Sequence, residues 1–177
     1  MKDNKFKTNG TELETKYKLL STLDKLRKYY LGITGEDGFR RDREEKMSSE
    51  FNGDAERVAL VNDTPLCDDR FSARVYIPDS SRPLPIVIFF HGGGFITGKA
   101  KTPIYDDFCR FIANRIPAVV VSCDYRKAPE HKYPSAHQDA YDTFAWVYQH
   151  AKEINGDTAR STILFSLFPY FSFNLIS

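Results

Sequence analysis

Cysteine is scarce in this chain of 177 residues, and its placement shows no pattern. Cys67, Cys109 and Cys123 stand far apart and are odd in number, which argues against a disulfide framework and a cysteine-based metal site. Idle or buried thiols in a reducing compartment, the cytoplasm, are the expectation. An excess of charge of either sign is also missing: 25 Lys and Arg face 24 Asp and Glu, a net charge of +1. That balance argues against nucleic acid or an anionic membrane as the main partner. The N-terminus, Met1-Lys2-Asp3-Asn4-Lys5, has no apolar core behind it, so no signal peptide is expected. A spanning helix needs about 20 apolar residues. The apolar stretch 163–177 is shorter and is interrupted by Pro169, so no membrane segment is expected. Glycine is thin after residue 60, where Gly92, Gly93, Gly94, Gly98 and Gly156 are all there are.

What is present is ordinary for a globular protein of about one domain, with 41% hydrophobic and 28% charged residues. Fourteen Phe and ten Tyr supply material for a sizeable core. Thr11-Glu12-Leu13-Glu14 fits a capping box, and Leu13, Tyr17, Leu20, Leu23 and Tyr30 follow at helical spacing. The spacing predicts an amphipathic helix over 12–31. Residues 36–56 mix charges of both signs and read as solvated. Residues 1–56 are thus expected to form a helical segment separate from the remainder of the chain.

From residue 57 the period changes. Arg57-Val58-Ala59-Leu60-Val61 reads as a short strand. Phe71, Ala73, Val75 and Ile77 alternate with Ser72, Arg74 and Tyr76, the period of a half-buried strand. Ile86-Val87-Ile88-Phe89-Phe90 is apolar throughout, as in a parallel strand buried on both faces. Thr102-Pro103 opens a helix with Tyr105, Phe108, Cys109 and Ile112 on one face. Ala118-Val119-Val120-Val121-Ser122 is a second buried strand, which completes a βαβ unit. A helix is predicted at 137–153 with Ala140, Phe144, Val147 and Ala151 inward, and a third parallel strand at 162–165.

The first buried strand ends on His91-Gly92-Gly93-Gly94-Phe95. Three glycines strip every Cβ from the loop, let the backbone take positive φ and bare its N–H groups. Such donors suit an oxyanion. His-Gly-Gly-Gly is the oxyanion-hole motif of lipases and esterases on the α/β-hydrolase fold. The second buried strand ends on Cys123-Asp124-Tyr125-Arg126-Lys127-Ala128-Pro129-Glu130-His131-Lys132-Tyr133-Pro134-Ser135-Ala136, at the sheet edge that carries sites in parallel sheets. Asp124, Arg126, Glu130 and His131 read as a charged network bracing the loop. The alternative is Glu130 or His131 as a general acid or base.

Together, in this order, the two motifs resemble those of the hormone-sensitive-lipase-like group of α/β-hydrolases, which holds carboxylesterases, lipases and arylacetamide-deacetylase-like enzymes. The resemblance runs over about 57–165. It implies an α/β fold with a mostly parallel sheet and flanking helices, and an oxyanion hole at His91, Gly92, Gly93 and Gly94 with Gly93 and Gly94 as donors. It further implies support of the site from Asp124, Tyr125, Arg126, Glu130 and His131, and a cap role for the helix at 12–31. The substrate is expected to be a small-molecule carboxylic ester, with no metal or organic cofactor.

The group next has a strand ending in a Gly-x-Ser-x-Gly elbow. Around Ser166 the flanking places hold Leu164 and Phe168, and no serine of the chain lies between glycines two residues either side. The acid and histidine that come after the nucleophile in this fold are not found either. The sequence expectation is a chain cut before the elbow, with an atypical tail over 166–177, no catalytic triad and no activity alone. Self-association through a bare strand edge is expected with it. The rival from another class is a non-catalytic binding protein like the plant gibberellin receptors, which resemble this group; the intact glycines favour the enzyme.

Overall fold

The computed structural model describes residues 55–166. The helix expected at 12–31, most of the charged stretch 36–56 and all but the first residue of the tail lie outside the described residues. There are seven elements in chain order: β1 (Leu60–Leu66), β2 (Phe71–Ile77), β3 (Leu84–Phe90), α1 (Pro103–Arg115), β4 (Val119–Asp124), α2 (Ser135–His150) and β5 (Gly156–Phe165). The strands make one sheet of order β1-β2-β4-β3-β5. β3 pairs in parallel with β4 and with β5, while β2 pairs antiparallel with both β1 and β4.

The βαβ unit is β3-α1-β4, and its register sets Ile86 opposite Val119 and Phe90 opposite Cys123. Both faces of these strands are covered, which is why their sequences are apolar without alternation. On one face Val87, Phe89 and Val120 pack with Ile104, Phe108 and Ile112 of α1. On the other, Ile86, Ile88, Val119 and Val121 pack with Val147 and Ile154. Each such buried aliphatic or aromatic side chain contributes about 1.5–3 kcal/mol. α1 begins where Pro103 fits, since a first-turn N–H has no helical partner to lose.

Four sequence expectations are corrected. The first strand is Leu60–Leu66, displaced from 57–61. Its middle, Asn62-Asp63-Thr64-Pro65, is polar because β1 has β2 as its sole strand neighbour among the described residues and shows much of its surface to water. Tyr76 does not face solvent: it is fully buried under α1, and its hydroxyl donates to Asp106 Oδ1 at 2.8 Å. Arg74 Nη1 reaches the same oxygen at 2.9 Å, and Arg110 Nε reaches Oδ2 at 2.6 Å, so Asp106 ties β2 to α1. The inward face of α2 keeps Val147, Ala151 and Ala140 against the core as expected, but Phe144 is not part of it. Asp139, Thr143 and Val147 are buried, while Phe144 is 36% exposed. The polar pair goes inward because each has a partner: Asp139 receives Arg126, and Thr143 donates to Cys123 Sγ and to its own helix at Asp139 O. Finally, β5 is longer than expected, beginning at Gly156, with a register irregularity opposite Pro85 and Ile86.

All three cysteines are free, with Cys109 and Cys123 buried and Cys67 exposed. Burial pushes the Cys123 thiol up to about 12, so it is inert. No helix among the described residues is long and apolar enough to cross a membrane.

Candidate active site

The triglycine loop leaves the C-terminal end of β3, between the C-terminal ends of β4 and β5. Ser166 N–H still donates to Phe90 O at 2.9 Å, so β5 ends beside it. Beyond β3 the backbone folds into an arch with φ of +127° at Gly93 and +60° at Gly94. It closes through Ile96 N–H and Thr97 N–H, which both donate to Gly93 O at 3.1 and 3.0 Å. Among the hydrogen bonds of the described residues, none uses the N–H of Gly93 or Gly94 as donor. Glycine is required at 93 because a Cβ there would lie 2.2 Å from Thr97 O. Gly98, which the motif reading passed over, is required as well: its φ is +92°, and a Cβ would lie 2.4 Å from His91 Nδ1.

His91 anchors the inner foot of the arch. Its side chain is buried, and Nδ1 lies 2.8 Å from Gly92 O, a contact that needs the proton on Nδ1. The ring is stacked on Tyr125 with centroids 4.3 Å apart and planes at 14°, and Tyr105 of α1 lies on it at 5.4 Å. Tyr125 also donates its hydroxyl to His91 O at 2.6 Å. Phe95, the outer foot, accepts Ala128 N–H at its carbonyl at 2.8 Å. Both motifs of the sequence therefore meet, joined by backbone, ring and hydroxyl contacts.

Within the second motif, Asp124 and Arg126 are held through Lys127 and Asp139, and Arg70 joins them. Lys127 Nζ donates to Asp124 Oδ1 at 2.9 Å and to Tyr125 O at 2.8 Å. Arg126 forms a bidentate pair with the buried Asp139, at 2.8 Å from Nη2 to Oδ1 and 2.9 Å from Nε to Oδ2, while its backbone N–H takes Oδ2 as well. Arg70 closes the group, bonding to Asp142 and standing 3.7 Å from Asp139. Glu130 and His131 are exposed, on the rim of a cavity of about 850 Å³ that also borders Ile96, Gly98 and Asp124. Sequence spacing missed Asp139 because it lies 13 residues from Arg126, on a different element.

Asp124 also faces His91, with Nε2 to Oδ1 at 3.8 Å. Burial pushes its carboxyl up, but the facing imidazole and the Lys127 ammonium outweigh burial and hold it below the usual carboxylate range. A depressed carboxyl contributes stability that is present above its ordinary value of 3.8 and is lost as pH falls through the depressed one. The carbon-13 titration of Asp124 is therefore expected to have its midpoint below 3.8, and Lys127→Met is expected to move it upward. A wild-type midpoint at or above the ordinary value would contradict this pairing.

Among the described residues no cluster of three or more His, Cys, Asp or Glu could hold a metal ion. A mixed five-stranded α/β sheet with a glycine arch pinned at the C-terminal end of its parallel strands is consistent with the α/β-hydrolase fold. Residues 87–164 match the family model described as the alpha/beta hydrolase fold. Over 87 residues the chain is 47% identical to a 3-O-acetylpapaveroxine carboxylesterase of Papaver somniferum, covering 45% of this chain and 27% of that protein. It is 36% identical over 114 residues to a gibberellin receptor of Oryza sativa subsp. japonica, covering 64% of this chain and 31% of that protein. Among solved structures, an esterase of Pyrobaculum calidifontis superposes with a TM-score of 0.63 at 38% identity, over 71% of this chain and 41% of that one. Residues 87–164 thus match the α/β-hydrolase fold, and carboxylesterases are among the proteins this chain is similar to. It spans 27% and 31% of the length of the two curated relatives.

Proposed function

We propose that this segment builds the oxyanion side of a carboxylic-ester hydrolase. The observation that carries the reading is the arch at Gly93 and Gly94, whose backbone is bent through positive φ at the C-terminal edge of β3. In ester hydrolysis a serine attacks the carbonyl, and the oxygen gains charge as the tetrahedral intermediate forms. The N–H groups of Gly93 and Gly94 would take that charge. His91, Asp124, Tyr125 and Arg126 hold the arch; Glu130 and His131 stand on the rim beside it. No organic cofactor or metal enters this chemistry. The scattered, unpaired cysteines support a reducing, cytoplasmic location.

None of the 177 residues is a serine flanked in the Gly-x-Ser-x-Gly manner. Loss of a nucleophile costs about 10⁶ in rate. The chain by itself is therefore expected not to cleave p-nitrophenyl acetate and not to label with a fluorophosphonate. The decisive test is a hybrid in which residues 57–165 replace the matching part of the Pyrobaculum calidifontis esterase, which supplies the rest of the fold. Retained turnover supports the reading, and a folded hybrid without turnover overturns it. A second reading, a non-catalytic pocket for a small molecule, draws on the gibberellin receptor, which matches 64% of this chain. Such a pocket has no need of the arch, so glycine replacements that leave ligand binding intact would favour it.

A further inference from the structure

The three glycines hang between two aromatic rings, and the inner and outer rings are held very differently. His91 is buried between Tyr105 and Tyr125. Phe95 is 51% exposed and has a φ of +61°, a left-handed conformation that disfavours a side chain. A strained residue persists where its surroundings over-determine it, and burial does not do so here. Among the described residues two kinds of contact remain. One is the bond from Ala128 N–H to Phe95 O. The other is a pair of rings: Tyr125, tilted at 57° with centroids 6.0 Å away, and His137, stacked at 26° and 5.4 Å. Tyr125 already gives its close stacking contact to His91, so the nearer and flatter support of Phe95 is His137.

His137 is itself well placed to bear on Phe95. It lies in the first turn of α2, two residues before Asp139, which Arg126 fixes to the end of β4. Its ring is met edge-on by Tyr133, with centroids 5.1 Å apart and planes at 71°. We propose that His137 is a positioning residue for the glycine arch, acting by stacking on Phe95 so that the left-handed turn stays closed over Ala128. The role rests on the esterase reading for its purpose, but the coupling itself does not depend on catalysis. Aromatic stacking and the strain of one left-handed residue are of similar size, so loss of the stack is felt at the arch.

Amide hydrogen exchange on the 177-residue chain tests this. Ala128 N–H reports the outer foot, Thr97 N–H the closure of the arch, and Val121 N–H the core. In His137→Ala, exchange at Ala128 is expected to quicken about tenfold, with Thr97 moving in the same direction and Val121 unchanged. In His137→Phe, a flat ring remains and wild-type rates are expected. Phe95→Leu should remove the Phe95 contribution to the ring-current displacement of the His137 Hδ2 resonance, leaving that of Tyr133; an unshifted resonance overturns the stack. Unchanged exchange at Ala128 in His137→Ala overturns the proposal, as does failure of phenylalanine to restore it. Equal quickening at Val121 also overturns it, since that would be general loosening. Should the hybrid esterase fail while this coupling holds, the esterase reading falls and the clamp stands.

Discussion

Replacing Gly93 with alanine is expected to lower kcat of the hybrid esterase about 10²–10³-fold while leaving KM close to its original value. Two independent obstacles produce this. The new Cβ would sit 2.2 Å from Thr97 O and 2.6 Å from Thr97 C, both backbone atoms that cannot swing aside. The φ of +127° is also one that L side chains rarely adopt. The arch must rebuild, and the N–H groups it presents change direction. The substrate's ground state makes little use of them, so the loss falls on the transition state. Gly94→Ala is the contrast. Its φ of +60° matches that of Phe95 next to it, which already carries a side chain there. A left-handed alanine costs about 1–2 kcal/mol, and a loss of about tenfold or less is expected. An unchanged kcat in Gly93→Ala, or a change confined to KM, would remove the arch from the reaction.

The second large effect is on stability. Arg126→Ala is expected to destabilise the fold by about 3 kcal/mol, read from the midpoint of urea unfolding, because it strands a carboxylate. Asp139 has no exposed side-chain surface, and Arg126 supplies its paired contacts. Arg70 at 3.7 Å remains and softens the loss, as does the partial exposure of Arg126 itself. The double variant Arg126→Met, Asp139→Leu is expected to recover most of the stability, since removing both charges leaves nothing stranded. A single variant that unfolds at the wild-type midpoint would show that the pair is not needed.

The buried pairs of this molecule mark where sequence reasoning stops. β3, α1 and β4 were legible because their apolar residues have nowhere else to go: Ile86 to Phe90 and Val119 to Val121 lie within two covered faces, and their composition says so. Pro103 and the three glycines were legible because backbone conformation restricts the residue type. The polar part of the inward face of α2 was not. A pattern that counts apolar residues places Phe144 inside and Asp139 outside, and the structure does the reverse. What decides the matter is a partner 13 residues away on another element, and periodicity carries no record of it. Tyr76 was misplaced for the same reason, its hydroxyl being satisfied by Asp106 of α1. β1 was displaced because a strand with a single strand neighbour among the described residues can be polar along most of its length, and pairing with β2 shows only in the backbone. His137 left no signal at all: its contacts are with rings on two different loops.

The rings run in series from the interior outward: Tyr105, His91, Tyr125, Phe95, His137, Tyr133. The inner members are locked by the core, whereas Tyr133 is 82% exposed and His137 is exposed beside it. Selection therefore has unequal freedom along the series. A change at 91 or 125 disturbs packing that the sheet needs, while drift at 133 or 137 alters how firmly the glycines are held and leaves the fold alone. Divergence in rate or preference between proteins that share this sheet is then to be sought at the start of the second helix.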